Sequence, residues 1–261
     1  MDTEYIDEFD RTIEEGLLLL GWQDSARFMS EDRRMLHPLC AKSIELDKQG
    51  KLTPEAIDDI SFKSYEILSF QLVGVQERAD YTSLVYYNSQ YFRPLLNLID
   101  EATLCFYRDY FTAALSLLFI TLESYLRSIH NGNPGIRDPS FANLNNAVLS
   151  LSDQLSARKA HKIINVVYSR YEASSPAQFE FNRHGLLHGV RGPAKFDEMN
   201  CARIFQLFNL LCAAEGVDRT GHGKPLEMFR HRHKIYENCR QNKYESMLIR
   251  VAWEDAANNK I

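Results

Sequence analysis

The chain has 261 residues, of which 45% are hydrophobic and 25% are charged, and its formal net charge is −5. This length suits one large domain or two small ones, and the low content of glycine (12) and proline (8) excludes a disordered chain or a turn-rich β fold. The five cysteines include no C-x-x-C pair, so they predict buried free thiols rather than a disulfide framework or a zinc ribbon.

The beginning of the chain and its most apolar stretch both argue against a membrane protein. The acidic start, MDTEYIDEFDRTIEEG, lacks the basic-then-apolar order of a signal peptide. The stretch from Tyr110 to Leu122 has only thirteen residues, which is too short to span a bilayer and indicates a buried helix. We therefore expect a soluble, cytoplasmic protein that has no membrane partner.

Helix-start and helix-stop residues in the first half of the chain predict helices. The Thr53-Pro54 pair is typical of a helix start, and Arg93-Pro94 opens another apolar segment. Asp109 is placed to cap a long apolar helix that runs to about Ile129. A strand is the alternative for residues 83–88, SLVYYN, which are rich in aromatic and β-branched residues.

The second half continues the helical pattern. A short helix follows Asp138-Pro139, and a further helix is predicted around residues 156–172. The sequence SPAQ, residues 175–178, matches a capping box. Asp197 begins a helix that Gly216 is placed to end.

The predicted architecture is an all-α bundle with helices added at both ends. Residues 90–216 form the bundle core, residues 1–89 an N-terminal helical region, and residues 217–261 a C-terminal helical arm. The arm holds one long charged helix from Pro225 to about Ala257.

The charge is unevenly distributed along the chain. Residues 181–250 carry twelve Lys and Arg against seven Asp and Glu, whereas residues 1–180 carry seventeen against twenty-six. A basic C-terminal third can present a positive face to a polyanion, although solvated helix faces would give the same count.

The sequence FNRHGLLHG, residues 181–189, concentrates polar and basic side chains in a helical segment. His184 and His188 have the H-x-x-x-H spacing of a zinc half-site, but the glutamate that metalloproteases place between the histidines is missing. Arg183 would also repel a cation, so we predict no metal. Gly185 costs helix stability, which suggests that another group approaches closely.

Arginine and histidine together suit the cleavage of RNA, because RNA carries its own nucleophile in the 2′-OH. A histidine can take or give the proton, and an arginine can stabilise the negative charge on the phosphate. Such an enzyme needs neither a metal nor a cofactor. The structural alternative is a buried polar cluster that only holds the helix in place.

Residues 90–216 resemble the HEPN (higher eukaryotes and prokaryotes nucleotide-binding) superfamily, whose signature is R-x(4–6)-H. NRHGLLHG resembles the bacterial N-R-H-x-x-x-H-G form. The resemblance implies a helical bundle and a metal-independent endoribonuclease that cuts single-stranded RNA, as in toxin or phage-defence systems. It implies His188 as the catalytic histidine, Arg183 as the phosphate-contacting arginine, His184 as an auxiliary group and Asn182 as a polar lead-in. A non-catalytic HEPN-type module that binds nucleotide, RNA or a protein is the alternative.

One acid has a supporting role under this hypothesis. Glu123 lies within the apolar run SLLFITLESYLRSI, residues 116–129, where similar acids brace the arginine in relatives. A pair between Glu123 and Arg127, four residues apart on one helix, is the alternative to a pair with Arg183.

The expected partner is RNA, with a second copy of the chain and a neutralising or activating protein as further partners. The arm would add phosphate contacts through its basic residues: Arg230, Arg232, Lys234, Arg240 and Lys243. On a straight helix Arg183 and His188 point about 140° apart, so one copy converges poorly on a single phosphate. Two copies would form a composite active site in a symmetric homodimer, as the resemblance also implies.

Overall fold

The computed structural model describes residues 8–23, 29–130, 141–167, 197–217 and 226–258, and within these ranges every regular element is a helix. The first half contains α1 (Glu8–Leu19), α2 (Ser30–Lys48), α3 (Pro54–Val73), α4 (Val75–Asp80), a π-helical segment (Tyr81–Val85), α5 (Tyr86–Asn88) and a 3₁₀ turn (Arg93–Leu95). The rest contains α6 (Leu96–Tyr107), α7 (Phe111–His130), α8 (Phe141–Ala147), a 3₁₀ turn (Val148–Ser150), α9 (Gln154–Val167), α10 (Glu198–Ala214) and α11 (Leu226–Asn258). The predicted all-α fold is confirmed.

Several helix ends follow directly from local sequence. The Thr53 side chain accepts a hydrogen bond from the backbone N–H of Ala56 at 3.3 Å. Asp197 caps α10 in the same way, accepting from the N–H of Asn200 at 2.8 Å. Gly216 follows the end of α10 with φ of 79°, a left-handed conformation that glycine adopts without steric cost. The predicted starts and stops at these positions are confirmed.

One local prediction was wrong, and one alternative is excluded. Asp109 does not cap α7, because α7 begins at Phe111 and the Asp109 carboxylate instead accepts a hydrogen bond from Lys243 at 2.8 Å. The strand alternative for residues 83–88 fails because these residues lie in the π-helical segment and in α5. Consecutive side chains from Tyr81 to Tyr86 are buried there, so the alternation of a half-buried strand is absent.

Helix α10 lies at the centre of the bundle. It packs against α3, α7, α9 and the π-helical segment, while α1 packs on α2 and α6 on α7. Every residue from Met199 to Phe208 is buried, as expected for a helix that is enclosed on all sides.

The C-terminal helix α11 packs against α4, the π-helical segment and α6. It therefore contacts residues on both sides of position 90, and apolar side chains from all parts of the described chain join one core. The division at residues 89 and 216 stays a prediction.

All five cysteines are free thiols, as predicted. Cys40, Cys201, Cys212 and Cys239 are buried, whereas Cys105 is partly exposed. Burial raises the pKa of the Cys201 thiol well above its ordinary value.

Arg78 of α4 is fully buried, at 0% exposure. Its guanidinium lies over the rings of Phe205, at 4.4 Å, and Tyr81, at 5.0 Å. One terminal nitrogen, Nη2, donates to the Tyr86 hydroxyl at 2.8 Å and to Asn209 Oδ1 at 3.4 Å. Among the described residues, the other two nitrogens have no hydrogen-bond partner. No described carboxylate forms a salt bridge with this arginine either. The cation is thus stabilised mainly by aromatic rings.

Two substitutions separate the packing of Arg78 from its charge. Arg78→Ala should lower the free energy of unfolding by about 3–5 kcal/mol, because it leaves a cavity among large rings. Arg78→Met fills most of that volume without burying a charge, so we expect a loss of less than about 1.5 kcal/mol. Urea denaturation followed by circular dichroism measures both changes.

Arg93→Met is the matched control, because Arg93 also lies over a tyrosine ring, Tyr87 at 4.7 Å, but is exposed. It should change stability by less than about 0.5 kcal/mol. Equal losses for Arg78→Met and Arg78→Ala would show that the buried charge itself stabilises the fold.

Candidate functional site

The predicted catalytic residues belong to the stretch of chain between α9 and α10. The four residues are Asn182, Arg183, His184 and His188, and all of them lie outside the described residues. Gly185 and the predicted capping box at residues 175–178 also lie outside them. The structure does describe the two helices that bracket this stretch, up to residue 167 on one side and from residue 197 on the other.

Helices α9 and α10 run antiparallel. They pack side by side, and the N–H of Asp153, just before α9, donates to the carbonyl of Ala214 at the end of α10, at 2.8 Å. The end of α9 and the beginning of α10 therefore lie at the same end of the bundle. Both ends of the stretch 168–196 are therefore joined to the described helices at that end.

Both bracketing helices are fixed in the core. Helix α9 buries one face, formed by Ala157, Ala160, Ile163 and Ile164. Its Lys159 pairs with Glu14 of α1 at 2.8 Å, which ties it to the N-terminal helices. The stretch that carries the motif therefore connects two helices that both pack into the bundle.

Glu123 pairs with Arg127, which was the alternative to a pair with Arg183. Its Oε1 accepts from Arg127 Nε at 3.2 Å and Nη2 at 3.0 Å, with both side chains partly exposed. The contact between Glu123 and Arg183 lies outside the described residues and stays a prediction.

The position of Glu123 along the bundle constrains that prediction. Helix α7 runs parallel to α10, since Cys201 Sγ lies 3.9 Å from the carbonyl of Phe111 and the Tyr125 hydroxyl lies 2.9 Å from Glu215. Glu123 comes twelve residues after Phe111, so it is about 18 Å along the helix axis from the level of Cys201. To reach it, Arg183 must lie well down the side of the bundle from residue 197.

Arg232 attaches the arm to the bundle. Its Nε and Nη2 bind the two carboxylate oxygens of Asp100 in α6, each at 3.0 Å, and Tyr236 also donates to that carboxylate. The Tyr236 ring is buried beside Tyr107, with centroids 5.8 Å apart, and Phe229 also packs on the core. Burial raises the pKa of the Tyr236 hydroxyl, and the nearby Asp100 charge raises it further. These groups hold α11 in place.

The other basic residues of the arm differ in their surroundings. Lys243 pairs with Asp109 at 2.8 Å, and Arg240 pairs with the acid three residues before it at 3.2 Å. Arg230 and Lys234 are exposed and form no ion pair with any described residue. Three of the five predicted RNA contacts are thus engaged with carboxylates of the protein itself.

Sequence reasoning passed over α9 as a basic element. Its fourteen residues, QLSARKAHKIINVV, include Arg158, Lys159, His161 and Lys162 but no Asp or Glu. A count of charged residues over a long stretch does not detect this basic helix, because residues 1–180 are acidic as a whole.

Among the described residues, no group of three or more His, Cys, Asp or Glu side chains is arranged to hold a metal ion. The helices described here include none with the length and apolar character needed to cross a membrane. Comparison of the chain with models of known protein families, with curated proteins and with solved structures found no match.

Proposed function

We propose that this protein is a metal-independent endoribonuclease that cleaves single-stranded RNA, with Arg183 and His188 as its main catalytic residues. The observation that carries the proposal is the sequence NRHGLLHG, residues 182–189, which has the form of the HEPN signature. The helical bundle supports it, because that signature belongs to a bundle of helices and its stretch here is bracketed by two packed helices.

The reaction needs only groups that the RNA and the motif supply. A base removes the proton of the 2′-OH, the 2′-oxygen attacks the adjacent phosphorus, and the bond to the 5′-oxygen breaks as that oxygen gains a proton. The products are a 2′,3′-cyclic phosphate and a free 5′-hydroxyl. His188 serves as base or acid, Arg183 stabilises the charge on the phosphate, and His184 and Asn182 support them.

The complete site requires two copies of the chain. A single His188 can take the proton of the 2′-OH and give one to the 5′-oxygen only in sequence, whereas two copies facing each other across a two-fold axis supply a base and an acid at the same time. We place this homodimer in the cytoplasm, in a toxin or phage-defence system where a protein partner neutralises or activates it.

The first test asks whether cleavage needs a metal. The wild-type protein should cut a single-stranded RNA in excess EDTA and leave 2′,3′-cyclic phosphate ends, because the 2′-OH is the nucleophile. Gel electrophoresis and mass spectrometry of the fragments measure this, with His188→Ala as the inactive control. Cleavage that requires added Mg²⁺, or fragments with 5′-phosphate ends, would contradict the mechanism. RNA binding without cleavage would indicate the non-catalytic module.

The second test assigns the residues. Arg183→Ala and His188→Ala should each lower the cleavage rate at least about 10²-fold, since each removes a group that acts in the transition state. His184→Ala should cost less, about tenfold or below. His231→Ala, an exposed histidine of α11, is the matched control and should keep full activity. If Arg183→Ala or His188→Ala unfolds the protein in thermal melts, the motif is a structural polar cluster.

The third test concerns the shared site. Arg183→Ala and His188→Ala subunits, each inactive alone, should recover part of the activity when mixed if both copies contribute to one cleft. Light scattering at micromolar concentration should show a dimer in the wild type and in both variants. A monomer with full activity would rule out the composite site.

A further inference from the structure

We propose that the exposed face of α9 binds the backbone of the single-stranded RNA that the catalytic motif cleaves. This inference rests on the proposed function and adds a substrate-binding surface to it. The surface, here called the α9 face, consists of four exposed side chains: Leu155, Arg158, Lys162 and Asn165.

The helical period places these four residues together. They are spaced three, four and three positions apart, so they lie on one side of the helix. The buried residues Ala157, Ala160 and Ile164 occupy the side that packs into the bundle. The α9 face is therefore a continuous strip along the outside of the helix.

Within the described structure, neither cation of the α9 face is neutralised by a carboxylate. Arg158 and Lys162 form no ion pair with any described residue, and α9 itself contains no acid. The remaining cation of the helix, Lys159, is taken up by Glu14. Two like charges four residues apart repel each other on a helix surface, and an anionic ligand such as two neighbouring phosphates would relieve that repulsion.

Groups that hydrogen-bond to bases flank the α9 face. His161 Nε2 lies 3.2 Å from Oδ1 of Asn146, an exposed residue of α8. Asn145, which is 1% exposed, donates to Asn165 and orients its amide on the α9 face. Amide and imidazole groups bind the edges of unpaired bases, and the exposed Leu155 offers an apolar surface to a base. This combination suits single-stranded RNA.

Helix α9 comes directly before the part of the chain that carries the motif. The helix ends at Val167, and residues 168–196, which contain Arg183 and His188, follow immediately. RNA bound along the α9 face therefore lies beside the point at which residues 168–196 join the described structure.

The test measures the salt dependence of RNA binding. His188→Ala protein, which cannot cleave, is titrated against a fluorescein-labelled single-stranded RNA of about 12 nucleotides at several salt concentrations. Adding Arg158→Gln and Lys162→Gln should reduce the slope of log Kd against log salt by about 1.4, because each phosphate contact contributes about 0.7.

The matched control removes the same charge elsewhere. Arg34→Gln with Lys42→Gln takes one exposed arginine and one exposed lysine from α2 and should leave the slope unchanged. In protein with an intact His188, Arg158→Gln with Lys162→Gln should raise KM and leave kcat unchanged. The reason is that these side chains contact the RNA at a distance from the reacting phosphate. Thermal melts should match the parent, since both side chains are exposed.

The outcomes separate this inference from the proposed function. The inference alone is overturned if the protein binds and cleaves RNA but the slope of log Kd against log salt is the same with and without Arg158→Gln and Lys162→Gln. A wild-type protein that neither cleaves nor binds RNA overturns both. If the protein binds RNA through Arg158 and Lys162 but never cleaves it, the α9 face is an RNA-binding surface and the protein is a non-catalytic RNA-binding module.

Discussion

Helix α10 is enclosed by its neighbours from Met199 to Phe208, so the polar side chains of this part cannot reach water and need partners inside the protein. Gln206 exchanges two hydrogen bonds with the backbone of Gln23, at 3.2 and 2.9 Å. Arg203 donates to the carbonyl of Leu20 at 3.0 Å, and Asn209 accepts from the buried pair of Arg78 and Tyr86. The end of α1 and the region around α4 are thereby positioned against α10.

This central helix also fixes where the stretch that carries the motif joins the described structure. Because α10 is fixed and α9 runs antiparallel to it, both ends of residues 168–196 are held at one end of the bundle. Catalytic groups must be placed within fractions of an ångström, and residues carried between two packed helices begin from fixed points. A shared site in a homodimer would need the same precision across the two-fold axis, which a rigid bundle can provide.

The sequence predicted those features that depend on neighbouring residues. Thr53, Asp197 and Gly216 mark helix ends because their side chains or backbone angles act within a few positions. It could not predict the role of Asp109, whose partner Lys243 is 134 positions away. Nor could it predict the burial of Arg78, since the local sequence VQERAD is typical of a solvated helix and the enclosing rings come from distant elements. The motif residues lie outside the described part, so their roles stay a prediction.

The charges of α9 and α11 show why a basic residue count is a poor guide to RNA binding. The arm has more basic residues, but Arg232 and Lys243 are held by Asp100 and Asp109, and these contacts keep the arm on the bundle. To bind a phosphate, such a side chain must first give up its carboxylate, which offsets most of the gain. The cations of the α9 face have no such contact to lose within the described structure. By this argument, affinity for a polyanion depends on the cations that form no ion pair with a described residue, which are Arg230 and Lys234 in α11 and Arg158 and Lys162 in α9. The α9 pair comes shortly before the stretch that we propose to be catalytic.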